Sequence, residues 1–210
     1  MSNHTKGRAF LAACAVFSML LPTATAINID GLYCPSSPQL PANLTNTTIP
    51  GLPPSFFPLA TGATSQNPVL LEEIRYTLNL YPIIIDGKDF SALDQVFAAT
   101  AVANYSAPLN VLTPLSTIKT TLAASLAPVN TQHSLTTQLI EISPGACTAR
   151  SVSYYTAAHF GVGIYEGEVL YAYGQYRDVL VRIAEGWRIQ ERTLAYMGPF
   201  IGNLTIFTPQ

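Results

Sequence analysis

Pro-Val-Asn-Thr-Gln-His-Ser-Leu-Thr-Thr-Gln-Leu-Ile-Glu-Ile, residues 128–142, marks the point where the chain changes its hydrophobic period. Upstream of Pro128 the apolar spacing is helical. Leu70, Ile74, Thr77, Leu78 and Tyr81 recur on one face of a segment that opens at Asn67-Pro68 and is broken by Gly87, with Pro82 expected to kink the helix without ending it. Asp89–Ala98 reads as a shorter helix carrying Phe90, Leu93 and Phe97, and a third runs from Pro114 to about Leu126. Downstream, Gln132–Ile142, Cys147–Phe160, Glu168–Ile183 and Trp187–Met197 are long stretches rich in Thr, Val and Tyr, separated by Ser-Pro-Gly, Gly-Val-Gly and Glu-Gly turns, which is the pattern of strands. Ala101–Tyr105 adds a short strand between the second and third helices. Helices first and long antiparallel strands afterwards predict an α+β domain with the helices on one face of a curved sheet.

The ends are of different composition. Lys6 and Arg8 precede an uncharged apolar run from Ala9 to Leu21, and Ala24-Thr25-Ala26 offers small residues at a cleavage site, so residues 1–26 read as a secretory signal peptide. The run is shorter than the roughly 20 residues a membrane span requires, and no stable anchor is expected. Residues 27–66 form a Pro-rich extended arm, since prolines at 35, 38, 41, 50, 53, 54 and 58 exclude a regular helix or central strand. Residues 67–200 form one domain, and 201–210 a C-terminal tail.

Loss of the signal would leave eight basic against twelve acidic residues, a mildly acidic chain without the basic footprint that nucleic acid or anionic lipid requires. Cys34 and Cys147 would be the remaining cysteines, and in an oxidising compartment they are expected to pair, although two separately buried thiols are the alternative. Asn43, Asn46, Asn104 and Asn203 head Asn-x-Ser/Thr sequons, which fits a secreted or secretory-pathway glycoprotein. The histidines are too few, and lack carboxylates at matching spacing, for a zinc site, and no phosphate loop or Gly-x-Ser-x-Gly elbow occurs. Cofactor-free and metal-free chemistry is expected.

Several local motifs occur in a telling order: Asp86-Gly87-Lys88-Asp89-Phe90, Asn104-Tyr105-Ser106, Thr131-Gln132-His133, Gly174-Gln175-Tyr176-Arg177-Asp178 and Trp187-Arg188-Ile189-Gln190-Glu191-Arg192. Over about residues 66–200 the chain resembles the SnoaL-like family of the nuclear-transport-factor-2-like superfamily, and within it the scytalone-dehydratase-like branch. The resemblance implies a cone: a strongly bent, mostly antiparallel sheet packed against three helices, with a pocket entering from the wide end. It carries an aspartate, a histidine and a carbonyl-binding tyrosine onto Asp86, His133 and Tyr105. Two departures stand out. The tyrosine that precedes the aspartate in such dehydratases is Ile85 here, and the nearest counterpart of their second histidine is about Ser153, with His159 further along.

In that setting His133 would be the base, Asp86 its partner and Tyr105 a hydrogen-bond donor to a carbonyl, with Ser153, Tyr154, Tyr173 and Tyr176 as substrate-binding candidates. Each residue also has a plainer reading. His133 could be a polar strand-end residue, Asp86 a turn or cap residue, and the tyrosines ordinary sheet packing. The expected function is a lyase, isomerase or cyclase acting on a small hydrophobic polyketide- or terpenoid-like metabolite. The competing expectation is a non-catalytic small-molecule binder. The resemblance also implies a homodimer through the sheet face.

Overall fold

A computed structural model of the protein describes residues 34 and 67–208. The segment read as a signal peptide, the rest of the expected arm and the sequons at Asn43 and Asn46 lie outside the described residues. Helix α1, Pro68–Asp86, begins where Asn67 Oδ1 accepts the Val69 N–H at 2.9 Å, and Pro68 occupies the first turn, where its missing donor costs nothing. The predicted face of Leu70, Ile74, Thr77, Leu78 and Tyr81 is buried, and Pro82 sits inside the helix. Gly87 closes it, donating its N–H to the Ile83 carbonyl.

The second predicted helix is replaced. Phe90–Gln95 is a single stretch of 3-10 helix, and strand β1, Phe97–Asn104, starts where the helix was expected to continue. The three-residue step from Phe90 to Leu93 suits a 3-10 turn, and beyond it Ala101 and Ala103 alternate inward against the neighbouring strand, so sheet pairing overrides the apparent helical spacing. Strand β2, Val111–Leu112, is a short addition that the sequence did not signal. Helix α2, Leu115–Leu126, follows Pro114 as expected and buries Leu115, Ile118, Leu122 and Leu126.

The long strands are β3, Val129–Ile142; β4, Thr148–Gly161; β5, Val169–Ile183; and β6, Gly186–Tyr196. The sheet runs β2-β1-β6-β5-β4-β3, antiparallel except where β1 lies parallel to β6. Register shifts between Leu135 and Gln138 in β3, and in β6 between Glu191 and Ile189 where they face Val179 and Leu180, mark bulges, which bend the strand and increase its twist. This is the expected α+β architecture, a bent sheet wrapped on helices. The segment expected to trail as a tail instead supplies β7, Ile201–Gly202, which extends the sheet beside the start of β5, and a 3-10 turn, Leu204–Phe207, with Ile206 wholly buried.

Cys34 and Cys147 are disulfide-bonded, their Cα atoms 5.2 Å apart. Among the described residues no helix is long and apolar enough to cross a membrane.

Candidate active site

The inner face of the sheet is layered, and strand register sets the layers. Asp178 of β5 stands opposite Arg192 of β6 at one end; the Ser153–Tyr176–Leu194 row comes next, then Tyr155–Gly174–Tyr196, and then His133–Ala157–Ala172 at the other. Between these rows and the helices lies a cavity of about 440 Å³. Its walls are mostly aliphatic and aromatic, with polar atoms supplied by His133, His159 and the tyrosines 81, 105, 155, 176 and 196.

Beside the His133 row Asp86, the last residue of α1, faces β3. Its Oδ1 lies 2.7 Å from His133 Nδ1 and accepts the Thr131 hydroxyl at 2.8 Å, while Oδ2 accepts the His133 backbone N–H at 2.7 Å. Burial acts to raise the Asp86 pKa, but the hydrogen bonds from the His133 ring and backbone and from Thr131 outweigh it and hold the carboxyl below its ordinary value. A carboxylate can only accept, so Nδ1 of His133 is the donor, and in the neutral tautomer this fixes, Nε2 is the nitrogen with the lone pair. The Lys88 ammonium donates to the Leu126 carbonyl and to Thr131 Oγ1, which ties the end of α2 to the same network.

A second histidine stands beside the first. Thr131 pairs with His159 and His133 with Ala157 in the β3–β4 ladder, which puts the two imidazoles diagonally on one face, their centroids 5.6 Å apart. His159 Nδ1 lies 3.2 Å from the Leu170 carbonyl, so that nitrogen is the donor. Burial first, and the neighbouring His133 next, push the His159 pKa down to about 4. His159 is therefore a neutral ring near pH 7, with Phe207 packed 5.2 Å from it. The counterpart inferred from sequence, Ser153, shares the inner face but lies deeper, is 1 % exposed and accepts from Gln138 rather than reaching the cavity.

The floor is a tyrosine cluster over a buried ion pair. Arg192 donates from Nε and Nη2 to the two Asp178 oxygens at 2.7 and 2.8 Å, and its guanidinium lies 4.2 Å from the Tyr81 ring centroid and 4.3 Å from that of Tyr176. Tyr105 and Tyr81 share a hydrogen bond of 3.1 Å between their hydroxyls. Tyr81 sits one helical turn before Ile85, so α1 still presents a phenol on the face where the dehydratase-like pattern places one. Burial raises the pKa values of Tyr81, Tyr105, Tyr155 and Tyr176 and keeps these phenols protonated.

Of the remaining tyrosine candidates, Tyr176 lines the cavity, but Tyr154 and Tyr173 are 43 % and 40 % exposed and belong to the outer face, where Tyr173 stacks on Tyr171. Adjacent strand residues face opposite ways, so Ser153 and Tyr154 could not both have looked inward. That alternation points to Tyr155, and with it His159 on the same parity. Asn104 accepts the Ser106 N–H at the end of β1, and Asn203 caps the last 3-10 turn. Among the described residues no group of three or more His, Cys, Asp or Glu is placed to hold a metal ion.

By sequence, the SnoaL-like domain matches residues 70–193, and no curated protein matches the chain. Solved structures with the same fold include the Kfla4162 protein of Kribbella flavida (20 % identity, 66 % of this chain and 96 % of that one, TM-score 0.59). A candidate scytalone dehydratase of Novosphingobium aromaticivorans follows (21 %, 64 % and 88 %, TM-score 0.57). A candidate dehydratase of the nuclear-transport-factor-2-like family from Streptomyces avermitilis is similar too (14 %, 62 % and 98 %, TM-score 0.55). At these identities the likeness is one of fold.

Proposed function

From the membership of this chain in the SnoaL-like family, we propose that it is a cofactor-independent lyase, isomerase or cyclase that abstracts a proton next to a carbonyl in a small, mostly apolar metabolite of polyketide or terpenoid type. The observation that carries this reading is the 2.7 Å bond between Asp86 and His133 Nδ1 at the wall of a mostly apolar cavity. It leaves Nε2 of His133 as the base and places a carboxylate where it stabilises the imidazolium as the proton arrives. The tyrosine floor meets the negative charge that develops on the substrate oxygen. Elimination of a β-hydroxyl, migration of a double bond or ring closure would each begin with this step. The signal-like N-terminus and the Cys34–Cys147 disulfide support action in the secretory pathway or outside the cell.

The test is product analysis. Wild type and His133→Ala are incubated with small-molecule extracts of the producing organism, and the products are compared by mass spectrometry. A compound that forms with wild type and not with the variant, either isobaric with its precursor or lighter by one water, supports the reading. Equal conversion by both proteins rules it out, and ligand retention without conversion indicates a carrier.

A further inference from the structure

Helix α1 ends in an arrangement that ordinarily calls for glycine. The Asp89 N–H donates to the Ile84 carbonyl at 3.0 Å and the Lys88 N–H to the Ile85 carbonyl at 3.3 Å, the paired bonds of a Schellman cap. The residue that turns the chain in such a cap is left-handed. Here it is Lys88, with φ 60°, while Gly87 just before it is right-handed at φ −74°. A side chain at a positive φ carries a steric cost that glycine avoids, and the contacts of the lysine side chain are what offset it.

Those contacts join three elements beside the Asp86–His133 pair. Lys88 Nζ donates at 3.1 Å to the carbonyl of Leu126, the last residue of α2, and at 3.4 Å to Thr131 Oγ1 of β3. With its oxygen accepting from Lys88, Thr131 directs its one proton at Asp86 Oδ1, 2.8 Å away, the same oxygen that receives His133 Nδ1. The ammonium itself makes no direct ion pair with Asp86 among the described residues. A lysine bonded to the carboxylate would compete with the imidazole for Oδ1 and offset the charge that stabilises the imidazolium. With the hydroxyl between them, the cation orients the carboxylate without taking the place of the ring. Burial lowers the Lys88 pKa and the Asp86 charge acts against that shift, so the two groups sense each other across Thr131.

We infer that Lys88 is a positioning residue for the Asp86–His133 pair: its ammonium fixes the Thr131 hydroxyl as a donor to Asp86, and that donor holds the carboxylate against the imidazole. The same ammonium anchors the end of α2, whose Ala124, Ser125 and Leu126 line the cavity, while Lys88 itself is not part of the lining. Lys88 therefore acts through its neighbours, touching no ligand and transferring no proton. This deepens the function proposed above and rests on its assignment of His133 as the base.

The test separates charge from backbone with three variants. Lys88→Arg keeps the cation, Lys88→Met removes it and keeps the left-handed strain, and Lys88→Gly removes it and relieves the strain. In the proton NMR spectrum the His133 Nδ1–H, bonded to a carboxylate, should give a protected downfield resonance, identified by its loss in His133→Ala. Its exchange with water should quicken by about fivefold in Lys88→Met, Lys88→Gly and Thr131→Val, the ratio that one hydrogen bond confers, and should stay near the wild-type rate in Lys88→Arg. Thermal melting should instead rank Lys88→Gly above Lys88→Met. A wild-type exchange rate in Lys88→Met, a rate altered in Lys88→Met but not in Lys88→Gly, a Lys88→Arg variant as fast as Lys88→Met, or no protected resonance in wild type would overturn the inference. Deuterium uptake by 1-indanone, a small flat ketone, should slow in Lys88→Met by a similar factor. If wild type promotes no uptake, the function proposed above falls, while the proton resonance still decides the role of Lys88.

Discussion

Asp86 Oδ1 lies 2.7 Å from His133 Nδ1, and the other oxygen of the same carboxylate accepts the His133 backbone N–H at 2.7 Å. One side chain at the end of α1 thus fixes both the ring and the strand that carries it. Replacing Asp86 with Asn keeps an acceptor but removes the negative charge that stabilises the imidazolium. Activity on an identified substrate should fall by about 100- to 1000-fold, with the near-ultraviolet circular dichroism unchanged. Steady-state kinetics check this, and the loss should appear in kcat more than in KM.

The second histidine gives the fold an acid sensitivity of its own. The folded pKa of His159 is held down to about 4, below the ordinary value of 6.5. As pH falls, the unfolded chain therefore takes up this proton first. Stability contributed by the neutral ring is complete above pH 6.5 and is lost progressively until about pH 4, up to about 3 kcal/mol in all. Asp86, whose pKa is lowered, adds a loss of the same sign below its ordinary carboxylate range. Urea titrations of wild type and His159→Gln between pH 7 and 4 should show a shallower pH dependence in the variant.

The Asp178–Arg192 pair under the tyrosine floor has no exposed side-chain surface at either partner. Arg192→Met leaves an uncompensated buried carboxylate and should cost about 3–5 kcal/mol, whereas the double variant with Asp178→Leu should recover most of that loss. Chemical denaturation of the two variants measures the difference. A full recovery of stability with a loss of activity would identify the pair as the support of the tyrosine layer.

The Cys34–Cys147 bond closes a separation of 113 residues. Chain entropy assigns such a loop about 4 to 5 kcal/mol. Cys147→Ser should lower the unfolding free energy by about that amount, reductant should do the same to wild type, and reductant should leave the variant unaffected. Unfolding curves with and without reductant check all three.

What the sequence revealed followed the physics of each element. The face of α1 was legible because Leu70, Ile74, Leu78 and Tyr81 repeat with helical period and need no partner to be seen. The strands were legible from composition, though of β1 only the half from Ala101 was: the Phe90–Phe97 spacing looks helical until β6 pairs with the segment. Asp86 and His133, far apart in the chain, were brought together only by a family resemblance, since nothing local couples them. His159 was missed because its place depends on a register that pairs it with Thr131, and counting along β4 favoured Ser153, which the bulge in β3 sets against Gln138. The sequence did not anticipate that the hydroxyls of Tyr81 and Tyr105 satisfy each other. That property belongs to the packed interior and leaves no trace in spacing.

Solvent exchange at carbon tests most directly whether His133 works as a base inside the cavity. With 1-indanone in deuterated buffer, wild type should accelerate deuterium incorporation at the carbon next to the carbonyl, and His133→Ala should return the rate to that of buffer alone. An unaltered rate in His133→Ala, or a wild-type rate no faster than buffer, would contradict the account.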